Sequence, residues 1–287
     1  MRIVFRLKTL FLLFHIVPKD RNMKKAVLLI VFALGLFLFS FAQKNAKPVI
    51  SSHNFEGSSD LWESIGKGIF NYQADAMYIY GKIYVTPLMP DSAGHHLPTL
   101  TDAYLYPLYN QFKKNNGEII PGYSGDIFLI LNLTAQPVQI YKQLAAEMRP
   151  FMDMLTYKNA ESEHRGKLRI LIKDKSQLQT INNLKPGFLG LVGDLSDVDK
   201  NTNPDQMPLI EIDFNEITNW KGTGNIPFED FVKIKELVAK IHAQNKKISL
   251  INCPSYKQVA DLIKAAKVDF LSTPEALKMA GFFEAEK

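Results

Sequence analysis

Short apolar runs rich in β-branched and aromatic residues recur between residues 49 and 272, and eight of them have strand length: 49–55, 72–79, 126–134, 168–173, 187–192, 208–214, 247–252 and 268–272. Most are continuous apolar stretches rather than clean alternations, the pattern of parallel strands covered on both faces. Between them the period changes. Over 228–244, Phe231, Ile234, Val238 and Ile241 fall on one helical face, and over 256–266 Val259, Leu262 and Ile263 do the same. Gly81-Lys82, set between Ile79 and Ile83-Tyr84-Val85, predicts a local hairpin after the second strand. Pro, Asn and Gly clusters at 199–208 and 222–227 mark loops. Alternating strands and helices predict an α/β protein, and eight strands predict a (β/α)8 TIM-type barrel, whose usual size of about 250 residues the 245 residues after Ala42 match.

The N-terminal end has a different character. Met23-Lys24-Lys25 precedes an apolar stretch from Ala26 to Ala42 closed by Ser40-Phe41-Ala42, the small-residue pattern of a signal peptide cleaved before Gln43. Residues 1–42 are therefore expected to be an upstream extension plus leader, with Met23 the translation start and 43–287 a single barrel domain. The chain is expected to be exported, to the periplasm, the cell surface or the medium, with no stable membrane span after cleavage; the alternative is an uncleaved anchor, since the apolar run approaches the roughly 18 to 20 residues that span a bilayer.

That leader carries 7 of the 34 Lys and Arg and 1 of the 29 Asp and Glu, which leaves 27 basic and 28 acidic residues. The apparent basicity belongs to the leader, and the rest has no electrostatic footprint for nucleic acid. The single cysteine, Cys253, excludes an internal disulfide.

In a TIM-type barrel the chemistry sits at the C-terminal ends of the strands. Reading those ends gives Ser52-His53-Asn54, Gln73-Ala74-Asp75, the hairpin Ile83-Tyr84-Val85, Leu105-Tyr106-Pro107-Leu108, the run 128–133 and the closing run 268–273. In this order they resemble the phospholipase-C-like phosphodiesterase superfamily, which includes the glycerophosphodiester phosphodiesterases, and within it the altered-inheritance-of-mitochondria branch. The resemblance implies a barrel of the phospholipase-C-like type. It also implies two proton-transfer histidines and a carboxylate cluster holding one divalent cation, calcium or magnesium.

On that resemblance His53 matches the first histidine, Asp75 a metal-binding carboxylate, and Asn54 a position near the metal. The chain also departs from the pattern. Gln73 stands where a Glu is expected, Thr86-Pro87-Leu88 where the second histidine would follow the hairpin, and Asn132 where another carboxylate belongs. Such a site would hold a divalent ion weakly. Read as residues alone, His53, Asn54 and Asp75 are equally a strand-end histidine, a turn residue and a paired aspartate. Gln73, Asn132 and Asp213 are candidate ligand-binding groups, since neutral amides can hydrogen-bond an anionic ligand without repelling it. Lys173, Asn252 and Thr273 also fall near strand ends, and His95 and His96 lie in the loop after the hairpin.

Three functions remain open at this level. The first is hydrolysis of a glycerophosphodiester or phosphoinositide-like substrate. The second is non-catalytic binding of a small phosphorylated or sugar ligand. The third is a glycosidase using Glu211 and Asp213, which share one face of a strand at period two.

Overall fold

All eight apolar runs form strands, and the strands close on themselves. The structure, a computed structural model, describes residues 47–51, 58–89, 97–123, 125–134, 137–158, 163–177 and 187–283. Residues 1–42, His53, Asn54, His95 and His96 lie outside the described residues. The unit Ala46–Lys287 contains all that are described. Its strands are β1 (Val49–Ser51), β2 (Asn71–Ile79), β3 (Lys82–Val85), β4 (Ile127–Thr134), β5 (Tyr157–Lys158), β6 (Glu163–His164), β7 (Leu168–Ile172), β8 (Leu189–Gly193), β9 (Leu209–Asp213), β10 (Lys247–Ile251) and β11 (Phe270–Ser272).

The main sheet runs β1-β11-β10-β9-β8-β7-β4-β2, with β3 attached to β2. Because β1 pairs with β11 (Val49 with Leu271) and also with β2 (Ile50 with Asn71), this sheet has no free ends apart from the β3 hairpin. Every barrel pairing is parallel. The result is a closed eight-stranded (β/α)8 barrel.

Closure gives each strand an inner and an outer set of residues, two apart in sequence. Ile50, Phe128, Ile130, Leu171, Val192 and Leu209 form the inner cluster, with Phe270 against it. The rings of Phe128 and Phe270 meet edge to face at 5.8 Å, and because β2 and β1 separate their strands, that contact crosses the interior. The alternate residues, among them Leu129, Ile170, Ile212, Ile248 and Leu250, join the larger core under the helices.

The helix Phe228–Ala243 buries Ile234, Val238 and Ile241, and Lys257–Ala266 buries Val259, Leu262 and Ile263, the two faces the periodicity predicts. Phe231 is only half-buried and Phe228, in the first turn, points to solvent at 79% exposure. The hairpin is present, with its turn one residue earlier than Gly81-Lys82, since Lys82 already belongs to β3. Ile79 pairs with Lys82 across Tyr80 and Gly81, both at positive φ (45° and 84°), the two-residue turn whose twist suits antiparallel strands.

Two features escape the periodicity. Thr101–Leu105 is π-helical and runs directly into the α-helix Tyr106–Lys114. The Tyr106 N–H reaches back to the Thr101 carbonyl, and the wider turn falls beside Pro107, which has no N–H to donate. The second is the ribbon of β5 and β6, too short to leave a pattern.

The N-terminal end of the barrel is fastened by Asp269. Its carboxylate accepts from Ile248 N (3.0 Å) and Lys247 Nζ (2.8 Å) and meets His242 Nε2 at 2.6 Å. Among the described residues no helix is long and apolar enough to cross a membrane.

Candidate active site at the barrel mouth

The inner set changes from apolar to polar toward the C-terminal ends of the strands. Two residues beyond Ile130 comes Asn132. Beyond Leu171 comes Lys173, and beyond Leu209 come Glu211 and then Asp213. On β2, Gln73 lies opposite Ile130 and Asp75 opposite Asn132, so both share the inner face. Of the residues singled out in the sequence, Gln73, Asp75, Asn132 and Asp213 therefore lie at one mouth together with Lys173 and Glu211.

The contacts show how closely they converge. Asn132 Nδ2 donates to Asp75 Oδ1 at 2.7 Å. Lys173 Nζ donates to Gln73 Oε1 at 3.1 Å and lies 2.7 Å from Glu211 Oε2. Since β4 separates β7 from β2 and β8 separates it from β9, Lys173 reaches across the interior in both directions.

The Lys173–Glu211 approach has ion-pair distance without hydrogen-bond alignment, so neither Glu211 oxygen has a hydrogen-bond partner among the described residues. Glu211 is the deeper member, its side chain 4% exposed against 25% for Lys173. Ser249, its register neighbour on β10, has an equally buried hydroxyl without a partner.

Asp213 is committed to local structure. Its Oδ1 accepts from Asn215 N (2.8 Å) and Nδ2 (3.0 Å), capping the short helix Phe214–Ile217, and its Oδ2 accepts from Asn252 Nδ2 (2.7 Å). Burial pushes this carboxyl up, but those hydrogen bonds outweigh it and hold the group below the usual carboxylate range. An aspartate kept ionised in this way is poorly suited to act as the general acid of a glycosidase. Thr273 is buried, its hydroxyl against Ser255 Oγ at 2.5 Å, and closes the barrel rather than lining it.

Beside the mouth, Asp197 accepts from Lys175 Nζ (2.5 Å), Lys200 Nζ (3.1 Å) and Asp194 N (3.0 Å). Burial raises its carboxyl, yet the donors prevail and bring it to about 2. With the folded value below the unfolded one of about 3.9, the stabilisation is complete above that pH and fades as pH falls toward 2. Asp197→Asn is expected to lower the urea midpoint at neutral pH by the equivalent of about 1–2 kcal/mol and to flatten its decline in that acid window. An unchanged acid limb would show that Asp197 does not carry it.

The described histidines lie at the other end. His242 is held by Asp269, and His164, on the ribbon of β5 and β6, lies 2.9 Å from the Leu155 carbonyl oxygen through Nδ1. Neither described histidine reaches the mouth.

A divalent cation is the cofactor that the sequence resemblance implies, and the described donors do not fit one. Calcium needs six to eight oxygens at about 2.4 Å. Here Gln73 Oε1 already accepts from Lys173, and Asp75 Oδ1 accepts from Asn132. An ion on Gln73 Oε1 would lie within about 5.5 Å of the Lys173 ammonium, a repulsion of about 6 kcal/mol at an effective dielectric of 20. Lys173 already balances Glu211, which leaves Asp75 as the anionic ligand of the Gln73-Asp75-Asn132 group. Among the described residues no group of three His, Cys, Asp or Glu side chains converges on a metal position.

Sequence reading names Lys173 and Glu211 without joining them. The signal was present, since each sits two residues beyond an apolar inward position, but only the strand order shows that β7 and β9 lie one strand apart with both side chains on the inner face.

No family model matches the chain, and no curated protein matches it. Among solved structures it is similar to a glycerophosphodiester phosphodiesterase from Agrobacterium tumefaciens str. C58, at 12% identity and a TM-score of 0.45, over 82% of this chain and 99% of that one. It is also similar to a protein described as a glycerophosphoryl diester phosphodiesterase of the same organism, at 10% identity and a TM-score of 0.42, over 83% and 98%. The barrel itself rests on the strand pairing.

Proposed function

We propose that this chain is an exported phosphodiesterase-like barrel protein whose mouth takes a small phosphorylated ligand and hydrolyses a phosphoric diester of the glycerophosphodiester or phosphoinositide-like kind. The observation that carries this reading is the convergence of Lys173, Gln73, Asp75 and Asn132 on the inner face at the C-terminal ends of three strands. An ammonium and amide N–H groups suit anionic phosphoryl oxygens. His53, which follows β1 in sequence, is the proton-transfer residue in this reading, and Asn54 beside it is a ligand contact.

The test is hydrolysis of a generic phosphodiester by the purified protein and by His53→Ala. General acid–base help is worth about 10² to 10⁴ in rate, so turnover is expected to fall by that factor in the variant. Equal turnover would reject His53 as the proton-transfer group.

A second reading, a non-catalytic protein binding a phosphorylated or sugar ligand, is favoured by one observation. The described mouth supplies amides at Gln73 and Asn132, and both described histidines lie at the opposite end. It predicts ligand-induced thermal stabilisation without product.

A further inference from the structure

The phosphorylated-ligand reading of the mouth leaves open what meets the ligand's charge, and the inference drawn here rests on that reading. A phosphoryl group carries anionic oxygens that need a positive partner inside a barrel. Of the described cationic side chains, Lys173 is the one that hydrogen-bonds across the interior. It stands at the mouth, with its ammonium fixed from two sides by Gln73 and Glu211.

An ammonium has three N–H donors. Gln73 takes one and Glu211 draws a second by charge, which leaves donor capacity for a ligand. The identity of residue 73 matters here. A carboxylate at that position would set Lys173 between two anions, whereas the neutral amide positions the ammonium and leaves Glu211 as its single counter-charge. Asn132 spends one amide N–H on Asp75 and keeps the other.

We propose that Lys173 is the resident cation of the mouth: its ammonium meets the phosphoryl oxygens directly, at the place where a divalent ion would otherwise stand, and the site binds its anionic ligand without metal. Gln73 and Glu211 are then positioning residues that hold the ammonium toward the barrel axis.

The experiment is calorimetric titration of the full chain with glycerol 3-phosphate and with glycerophosphocholine, each in EDTA, in calcium and in magnesium. The expected result is binding of at least one probe with a Kd that agrees within about twofold across the three conditions and rises at least about tenfold in Lys173→Met. Because that variant leaves Glu211 without a cation, Lys173→Met combined with Glu211→Gln carries no lone buried charge and must lose binding as well. It decides the matter if the single variant does not fold.

Binding that needs calcium or magnesium and vanishes in EDTA would overturn the proposal and leave the phosphorylated-ligand reading standing. Unchanged affinity in the folded Lys173 variants would also overturn it. No binding of either probe in any condition would sink the reading of the mouth, and the proposal with it.

Discussion

Lys173→Met is expected to destabilise the protein by about 2–4 kcal/mol, a large share of the 5–15 kcal/mol that holds a typical domain together. The cost does not come from a lost attraction alone. Glu211 has a side chain only 4% exposed and no hydrogen-bond partner among the described residues, so Lys173 is the group that balances its charge. Removing the ammonium strands a carboxylate inside the barrel, and stranding a buried charge costs more than the intact pair contributes. Exposure of Lys173, at 25%, admits some water and places the estimate below that for a fully enclosed pair. Changing Glu211→Gln in the same chain removes the stranded charge and is expected to restore most of the loss. Urea unfolding of the wild type, the single variant and the double variant measures this directly. A single variant within about 0.5 kcal/mol of wild type, the range of ordinary surface changes, would show that Glu211 is not dependent on Lys173.

Phe128→Ala is expected to cost about 3–5 kcal/mol. Phe128 is 3% exposed, packs with Ile50, Ile130, Leu171, Val192 and Leu209, and meets Phe270 edge to face across the barrel. Truncating it opens a cavity bounded by several strands, and strands tied into a closed ladder cannot shift to refill it. Phe228→Ala is the comparison. Its ring is 79% exposed, and its loss is expected to stay within about 0.5 kcal/mol. Equal midpoints for the two variants in thermal or urea unfolding would contradict the inner-cluster assignment.

The barrel strands were legible in the sequence because parallel strands covered on both faces need unbroken apolar runs, and all eight appear where such runs occur. The helices at 228–243 and 257–266 were legible for a related reason, since each buries one stripe at helical spacing. The π-helical stretch at Thr101–Leu105 was not, because a single wide turn ahead of Pro107 leaves no period to detect. The ribbon of β5 and β6, two residues to a strand, falls below any pattern.

At the site, single residues could be placed but their partners could not. Gln73, Asp75 and Asn132 were named through the family resemblance, and neighbouring strands bring Asp75 and Asn132 together. Lys173 meets Gln73 and Glu211 over the intervening strands β4 and β8, a relation set by strand order and by which face each side chain shares rather than by spacing along the chain. Asp213 was read as a ligand group. In the fold it is also a helix cap, a role that Asn215, two residues on, announces only once the strand is known to end there.

The account turns on where an anionic ligand settles. Crystals of the protein grown with glycerol 3-phosphate test this most directly. The predicted result is phosphate density at the C-terminal mouth, with an oxygen about 2.7–3.0 Å from Lys173 Nζ. Phosphate bound instead at the opposite end of the barrel, where Lys158 and Arg169 line a cleft, with the mouth holding none, would contradict the account.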